Sequence, residues 1–122
     1  MDKVLIIEDN RDIRHLYKVI LGRSLHVLEC DNGRDGLDCA RREHPEIIVL
    51  DLIMPGELDG LDVLAAIRQD PEMNDTYIII LSGQSDAKVR DQAMALGANA
   101  YFIKPFSPLT LLSHIRVRLA TA

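Results

Sequence analysis

The sequence predicts an α/β fold in which five parallel β-strands alternate with five α-helices. Short runs of consecutive aliphatic residues recur along the chain, and stretches with helical spacing lie between them. Hydrophobic residues make up 48% of the 122 residues, whereas aromatic residues make up only 4%. Continuous aliphatic runs are typical of strands buried on both faces, as in a parallel sheet covered by helices. The core should therefore consist of aliphatic side chains.

Three of the aliphatic runs are uninterrupted, and each stops at a polar residue. They comprise residues 4–7, 47–50 and 78–81, and they stop at Glu8, Asp51 and Ser82. Two weaker runs, residues 25–30 and 99–103, fit the same description. These five runs are the predicted strands.

Helix start and stop signals separate the strands. Apolar residues between 13 and 21 recur at spacings of three and four, and Gly22 ends that helix. Asn32 is a suitable cap for a second helix, which should run to Glu43 and end at His44-Pro45. A third apolar face, within residues 61–67, precedes Asp70-Pro71.

The last two helices have clear boundary signals of their own. The fourth should begin near Ser85-Asp86 and end at Gly97, where a glycine suits the residue after the C-cap. The fifth has Ser107 as its N-cap and Pro108 at its first position. Strict alternation of strands and helices implies right-handed crossovers and a doubly wound sheet. At this length we expect one domain, residues 1–122, with the flavodoxin-like (βα)5 strand order 2-1-3-4-5.

Polar residues lie where the predicted strands end. Glu8 and Asp9 follow the first strand, Asp51 the third, Ser82 the fourth and Lys104 the fifth. In an open parallel sheet, the carboxyl ends of the strands share one rim, and ligands bind there. Taken singly, each residue is more simply a turn residue, a cap or an exposed lysine. Their joint occurrence at successive strand ends favours a functional site.

The composition of this rim indicates phosphoryl chemistry. Three neighbouring carboxylates repel each other unless a cation is present, and oxygen ligands suit a hard divalent cation such as Mg²⁺. Mg²⁺ and Lys104 can neutralise the oxygens of a phosphoryl group while an aspartate carboxylate acts as nucleophile.

With these residues the sequence resembles the receiver domains of two-component response regulators, of the chemotaxis-regulator type, over essentially its whole length. Glu8-Asp9 resembles the acidic pair of that family. Asp51, before Met54-Pro55, resembles the aspartate that accepts phosphate. Ser82 and Tyr101 occupy the positions of the switch hydroxyl and switch aromatic residues, and Lys104-Pro105-Phe106 resembles a family motif.

The resemblance implies a mechanism. Asp51 would take a phosphoryl group from a phosphohistidine on a histidine kinase or a histidine phosphotransfer protein, with Lys104 and Ser82 contacting the phosphoryl oxygens. Mg²⁺ would be bound by Asp9, by Asp51, by the backbone carbonyl of Ile53, and by Glu8 through water. The family commonly has a cis peptide bond at the position of Lys104-Pro105.

The resemblance also implies an output and a set of partners. Ser82 and Tyr101 would change the surface formed by the fourth helix, fifth strand and fifth helix, and so address a downstream effector or an output domain. A homodimer could form on phosphorylation. The chain would be a signalling protein that catalyses only its own phosphotransfer and autodephosphorylation.

The sequence departs from the usual family pattern at two places. The loop of residues 56–60 is one residue longer than the commonest form. Ile53, two residues after Asp51, is apolar where many relatives are polar. We hypothesise that Ile53 excludes water and slows hydrolysis of the aspartyl phosphate.

Two other functions are compatible with an aspartate or a phosphate site at the end of a strand. A small phosphatase with an aspartate nucleophile typically has a second acid two residues after it, and Ile53 occupies that position. A flavin mononucleotide binder needs a phosphate loop after the first strand, where Glu8-Asp9-Asn10 would repel phosphate. Both functions fit less well than the phosphorylated switch.

The remaining features favour a cytoplasmic protein without direct nucleic-acid or membrane binding. The net charge is -5, whereas a nucleic-acid surface is usually basic. The first apolar run is too short for a membrane span or signal peptide. Cys30 and Cys39 match no zinc motif and are expected to be reduced thiols.

Overall fold

The computed structural model of the protein describes residues 2–54, 56, 58–83 and 87–121. Within these residues it contains five β-strands, five α-helices and one short 3₁₀ helix. The strands are β1 (Lys3–Ile7), β2 (His26–Cys30), β3 (Ile47–Asp51), β4 (Tyr77–Ser82) and β5 (Ala100–Ile103). The helices are α1 (Arg11–Leu21), α2 (Gly33–Glu43), α3 (Gly60–Arg68), α4 (Ala87–Ala95) and α5 (Pro108–Thr121), and the 3₁₀ helix is Pro71–Met73.

The five strands form one parallel sheet in the order β2-β1-β3-β4-β5. The predicted strand order is therefore confirmed. β1 and β3 lie side by side at the centre although β2 lies between them in the chain. This is the switch point of a doubly wound sheet, beside which such folds bind their ligands.

Alternate residues of the three inner strands point to opposite faces of the sheet and build two separate cores. One core contains Leu5, Ile7, Ile48, Leu50, Ile78 and Ile80, packed against α2, α3 and α4. The other contains Val4, Ile6, Ile47, Val49, Ile79 and Leu81, packed against α1 and α5. Burial on both faces explains the uninterrupted aliphatic runs. The weaker runs belong to β2 and β5, the edge strands, whose residues are mostly half-buried or exposed.

Most of the predicted helix boundaries agree with the structure. Gly22 is the C-cap of α1, and the side chain of Asn32 accepts a hydrogen bond from Asp35 at the start of α2. Gly97 follows α4 with φ +112°, a conformation that glycine adopts without strain. Pro108 begins α5 directly after Ser107. The predicted start of α4 at Ser85-Asp86 lies outside the described residues.

Two local features were not predicted. Asp59 caps α3, and Asp59 and Asp62 bond reciprocally to each other's backbone N–H in a capping box. After α3, residues 71–73 form the 3₁₀ helix, with the Asp70 side chain accepting from the backbone of Glu72. No helix among the described residues is both long enough and apolar enough to cross a membrane.

Arg68, at the end of α3, ties together the segments at the amino ends of β4 and β5. Its guanidinium donates to the backbone carbonyls of Met73 at 3.2 Å, Thr76 at 2.8 Å and Gly97 at 2.8 Å. It also donates to the Asn99 side chain at 2.7 Å. Burial lowers the pKa of Arg68 from its usual value. The contacts fix this end of the sheet, opposite the rim that holds the polar residues.

Gly60 allows α3 to approach the backbone that follows β3. Its N–H donates to the carbonyl of Leu52 at 3.0 Å. A Cβ atom added to Gly60 would lie 2.5 Å from the Asp51 carbonyl oxygen and 2.6 Å from the Leu52 Cα. Both contacts are with backbone, so no side-chain rotation could relieve them. The absence of a side chain at Gly60 therefore helps to set the position of Asp51.

We expect Gly60→Ala to destabilise the protein by about 1 to 3 kcal/mol, because the new methyl group displaces backbone in a packed region. Gly83→Ala is the matched control, since a Cβ atom there meets nothing within 4 Å. It should change stability by no more than about 0.5 kcal/mol. Urea unfolding monitored by circular dichroism measures both values. Equal stability of the two variants would contradict the close approach at Gly60.

Candidate functional site

The sequence-predicted site residues lie at the carboxyl end of the sheet. Glu8 comes directly after β1, whereas Asp51 and Ser82 are the last residues of β3 and β4. Lys104 comes directly after β5. Because all the strands run parallel, these positions share one rim, to which we refer as the acidic rim.

Three carboxylates of the acidic rim form one cluster. Glu8, Asp9 and Asp51 each provide one oxygen atom, and these atoms lie within 4.8 Å of one another. Glu8 and Asp51 are buried, with 1% and 6% of their surfaces exposed, whereas Asp9 is exposed. Charged groups so close together in a partly dry site are unfavourable unless cations compensate them.

The positive charge of Lys104 partly compensates the negative charges of these carboxylates. Its Nζ atom lies 3.0 Å from Oδ2 of Asp51 and 3.4 Å from Oε1 of Glu8. Its backbone N–H donates to the carbonyl of Ser82 at 2.7 Å, which places the backbone of Lys104 beside the end of β4. Burial lowers the pKa of Lys104, but its hydrogen bond to Asp51 and the charges of Asp51 and Glu8 outweigh burial and leave the pKa raised. Lys104 is therefore cationic at neutral pH.

One ammonium group does not neutralise three carboxylates. The pKa of Glu8 is raised to about 8, first by burial, then by the hydrogen bond and charge of Asp51 and by a hydrogen bond with Asp9, against the attraction of Lys104. The side chain thus tends to hold a proton at neutral pH. A divalent cation among the three carboxylates would replace that proton, and oxygen ligands are those that Mg²⁺ prefers. The donor set therefore fits a hard divalent cation.

The two oxygens of Asp51 have different partners. Oδ2 faces Lys104, whereas Oδ1 accepts a hydrogen bond from the backbone N–H of Ile53 at 3.2 Å. The side chain of Ile53 is 60% exposed, while that of Met54 is buried. Ile53 therefore stands beside Asp51 on the solvent side of the rim.

The two predicted switch residues occupy different environments. Ser82 is completely buried at the end of β4. Tyr101, on β5, is half-buried and packs against the core formed with α2, α3 and α4. The peptide bond between Lys104 and Pro105 is cis, which is the form expected from the family resemblance. These positions are those of the sequence prediction, and the roles of both side chains remain predictions.

Arg14 contacts the site and was missed by the sequence analysis. Its Nη1 donates to the backbone carbonyl of Glu8 at 2.9 Å, and its Nε donates to Glu29 on β2 at 3.0 Å. A signal was present: side chains on a helix lean toward its amino end, so a residue one turn after the Asn10 cap can reach back to the preceding strand end.

Tyr17 was also missed, because its spacing only indicated a buried helix face. Its ring stacks on that of Phe106, with centroids 6.2 Å apart, and Phe106 makes an edge contact with Phe102. Burial raises the pKa of Tyr17, and Lys104, Glu8 and Asp51 are close enough to affect it as well. Helix α1 thus packs against the turn that carries Lys104.

Comparisons with known proteins agree with this arrangement. The sequence profile of the response regulator receiver domain matches residues 4–116. The probable transcriptional regulator ycf27 of Porphyridium aerugineum is 38% identical over 94% of this chain and 47% of its own length. The transcriptional regulatory protein SrrA of Staphylococcus aureus is 33% identical over 97% of this chain and 48% of its own length.

Solved structures show the same likeness. The chemotaxis protein CheY4 of Vibrio cholerae superposes with a TM-score of 0.88 at 27% identity, covering 96% of this chain and 98% of that chain. The BeF3-activated receiver domain of DrrB, from Thermotoga maritima, gives a TM-score of 0.89 at 26% identity and covers 98% of both chains.

The fold, the acidic rim and these matches define a receiver domain of two-component signalling. The chain belongs to the response regulator receiver family. It spans just under half the length of the curated relatives described above.

The raised pKa of Glu8 has a measurable consequence in the metal-free protein. The unfolded chain loses this proton near the ordinary glutamate pKa of 4.5, whereas the folded chain keeps it up to a pKa of about 8. The contribution of Glu8 to stability is therefore fully present below the unfolded pKa and is lost as pH rises through the folded pKa. Glu8→Gln cannot ionise and escapes this loss.

With EDTA present, we expect Glu8→Gln to gain thermal stability relative to wild type between about pH 5.5 and about pH 8.5. The difference between their unfolding temperatures, followed by circular dichroism, measures the effect. Glu72→Gln, an exposed change on the 3₁₀ helix, is the control. A difference between Glu8→Gln and wild type that stays constant over this range would rule out the burial of a titrating Glu8.

Proposed function

We propose that this receiver domain is a phosphorylated switch in which Asp51 takes a phosphoryl group from a phosphohistidine on a histidine kinase or a histidine phosphotransfer protein. The observation that carries the proposal is the contact of the buried Asp51 carboxylate with Lys104, at 3.0 Å, inside a cluster of two further carboxylates. A nucleophilic carboxylate with an adjacent fixed cation suits phosphoryl transfer. The family supplies the signalling context.

Mg²⁺ is the proposed cofactor. Asp9 and Asp51 would bind it directly, the backbone carbonyl of Ile53 would be a further ligand, and Glu8 would act through water. When bound, the ion would neutralise negative charge on the phosphoryl oxygens. The support is the oxygen-only donor set of the acidic rim and the excess of carboxylates over ammonium groups there.

Residues of the chain would provide the nucleophile, orient it and stabilise the phosphoryl charge. An oxygen of Asp51 attacks phosphorus of a phosphohistidine whose second ring nitrogen carries a proton. The bond between phosphorus and the first imidazole nitrogen breaks, that nitrogen keeps the electron pair, and the donor histidine leaves as neutral imidazole. The N–H of Ile53 orients one carboxylate oxygen, because it already donates to Oδ1. Lys104 keeps its proton and moves from pairing with Asp51 to pairing with the phosphoryl oxygens. Catalysis is positioning and charge stabilisation.

Ser82 and Tyr101 are the proposed switch residues. Ser82 would bond to a phosphoryl oxygen, and Tyr101 would turn inward, altering the surface of α4, β5 and α5. That surface would address a downstream effector or output domain and could support a homodimer. The much greater length of the relatives, which are described as transcriptional regulators, supports an output domain over a role for this domain in binding nucleic acid itself.

The remaining assignments follow from this role. We place residues 1–122 in one receiver domain and in the cytoplasm, where the proposed donors act. We assign no enzymatic activity beyond phosphotransfer to itself and autodephosphorylation. Apolar Ile53, at the position where a phosphatase would carry its second acid, weighs against the alternative of a small phosphatase.

Asp51→Asn should abolish acid-labile phosphate uptake, because an amide cannot attack phosphorus as a carboxylate does. The protein is incubated with acetyl phosphate and Mg²⁺, and uptake is measured by intact mass. Asp38→Asn, an exposed change on α2, should take up phosphate like wild type. Acid-labile phosphate uptake by Asp51→Asn would refute the proposal.

Ile53→Asn should shorten the lifetime of the aspartyl phosphate, because an amide at this position admits and holds the attacking water. We expect a change of about tenfold, which corresponds to a hydrolysis barrier lowered by about 1.4 kcal/mol. The decay of phosphoprotein after removal of the phosphodonor gives the rate. Ile103→Asn, at another exposed isoleucine, is the control. The hypothesis that Ile53 excludes water fails if Ile53→Asn loses phosphate no faster than wild type.

A further inference from the structure

We propose that Arg14 is a positioning residue for the metal site, which holds the peptide unit between Glu8 and Asp9 so that both carboxylates face Asp51. The inference rests on the proposed function, because it concerns the Mg²⁺ site assigned there. Arg14 itself touches none of the three carboxylates through the hydrogen bonds described; it acts through the backbone.

The decisive contact is with one carbonyl oxygen. Arg14 Nη1 donates to the carbonyl of Glu8 at 2.9 Å. This carbonyl belongs to the peptide that joins Glu8 to Asp9, and the orientation of that plane determines where the side chains of both residues point. A single hydrogen bond therefore constrains two of the three carboxylates in the acidic rim.

The other polar groups of Glu8 are held as well. Its N–H donates to the carbonyl of Cys30 on β2 at 3.1 Å, and its Oε2 accepts from the N–H of Asn10 at 3.3 Å. β1 has ended at this point, so the sheet no longer fixes the carbonyl of Glu8. The guanidinium of Arg14 replaces the missing strand partner there.

Arg14 is itself held in place. Its Nε donates to Oε1 of Glu29 at 3.0 Å, and the Arg14 side chain is only 16% exposed. The other oxygen of Glu29 accepts from Lys18 at 2.9 Å. The hydrogen bond from Lys18, with further help from Arg14, lowers the pKa of Glu29 despite its partial burial. Glu29 therefore stays ionised at neutral pH and fixes the guanidinium plane.

The charge of Arg14 and its positioning role predict opposite effects on Mg²⁺ affinity when the side chain is removed. Arg14 is a cation near a site proposed to bind another cation, so its charge opposes Mg²⁺ binding. Removing that charge alone would tighten binding. Removing the constraint on the peptide would weaken binding, because the carboxylates would no longer be held in place. The sign of the change thus separates the two effects.

The test compares Arg14→Met, which keeps an apolar stem but has no donor, with Lys18→Met. Lys18 is the matched control: it is a cation one turn further along α1 and pairs with the same Glu29, but within the described part of the chain it makes no hydrogen bond to Glu8. Isothermal titration calorimetry with Mg²⁺ gives each dissociation constant. We expect about a tenfold increase for Arg14→Met, and for Lys18→Met a change within about twofold.

A second readout separates positioning from a general loss of structure. The Mg²⁺ concentration giving half-maximal phosphorylation by acetyl phosphate should rise for Arg14→Met, while the rate at saturating Mg²⁺ stays near that of wild type. Arg14→Lys, which keeps one donor, should give an intermediate dissociation constant and serves as the test if Arg14→Met does not fold. Unchanged or tighter Mg²⁺ binding in Arg14→Met, equal weakening in Lys18→Met, or a wild-type constant in Arg14→Lys would overturn the inference.

The results for wild-type protein distinguish failure of the proposed function from failure of the role of Arg14. Wild-type protein that binds no Mg²⁺ and accepts no phosphate contradicts the proposed function itself. Wild-type protein that does both, beside an Arg14→Met variant with unchanged affinity, contradicts only the role of Arg14.

Discussion

The structure is organised around an excess of negative charge at one rim of the sheet. Glu8 and Asp51 are buried beside Asp9, and Lys104 is the cation that pairs with both buried carboxylates. The fold must hold these groups together against their repulsion and without full access to water. The raised pKa values of Glu8 and Lys104 are two expressions of that constraint. A bound divalent cation would remove the cost.

The unfavourable free energy of the buried carboxylates is offset by the burial of apolar side chains over the rest of the sheet. Two aliphatic layers cover its faces, and parallel pairing brings the strand ends to one rim. Close backbone contacts then set the details. Gly60 brings α3 onto the segment after Asp51, and Arg14 holds the carbonyl of Glu8. Side-chain chemistry at the rim thus depends on backbone positions that several elements determine together.

The sequence was sufficient to predict the five strands, their order and the rim residues, because apolar runs report burial and the residues after them report the strand ends. The sequence was less informative about side chains whose hydrogen-bond acceptors are backbone carbonyl groups. Arg14 and Arg68 donate to carbonyl oxygens, which every residue has and which no sequence pattern marks. The Asp59 capping box and the 3₁₀ helix were missed because both are short and lack a hydrophobic period.

The two ends of β4 and β5 are held in different ways. At their amino ends, the guanidinium of Arg68 donates hydrogen bonds to four acceptors, whereas their opposite ends carry the buried Ser82 and the turn with Lys104. One side chain at the end of α3 thus crosslinks the segments that precede β4 and β5, and the hydrogen bonds of both segments depend on it together.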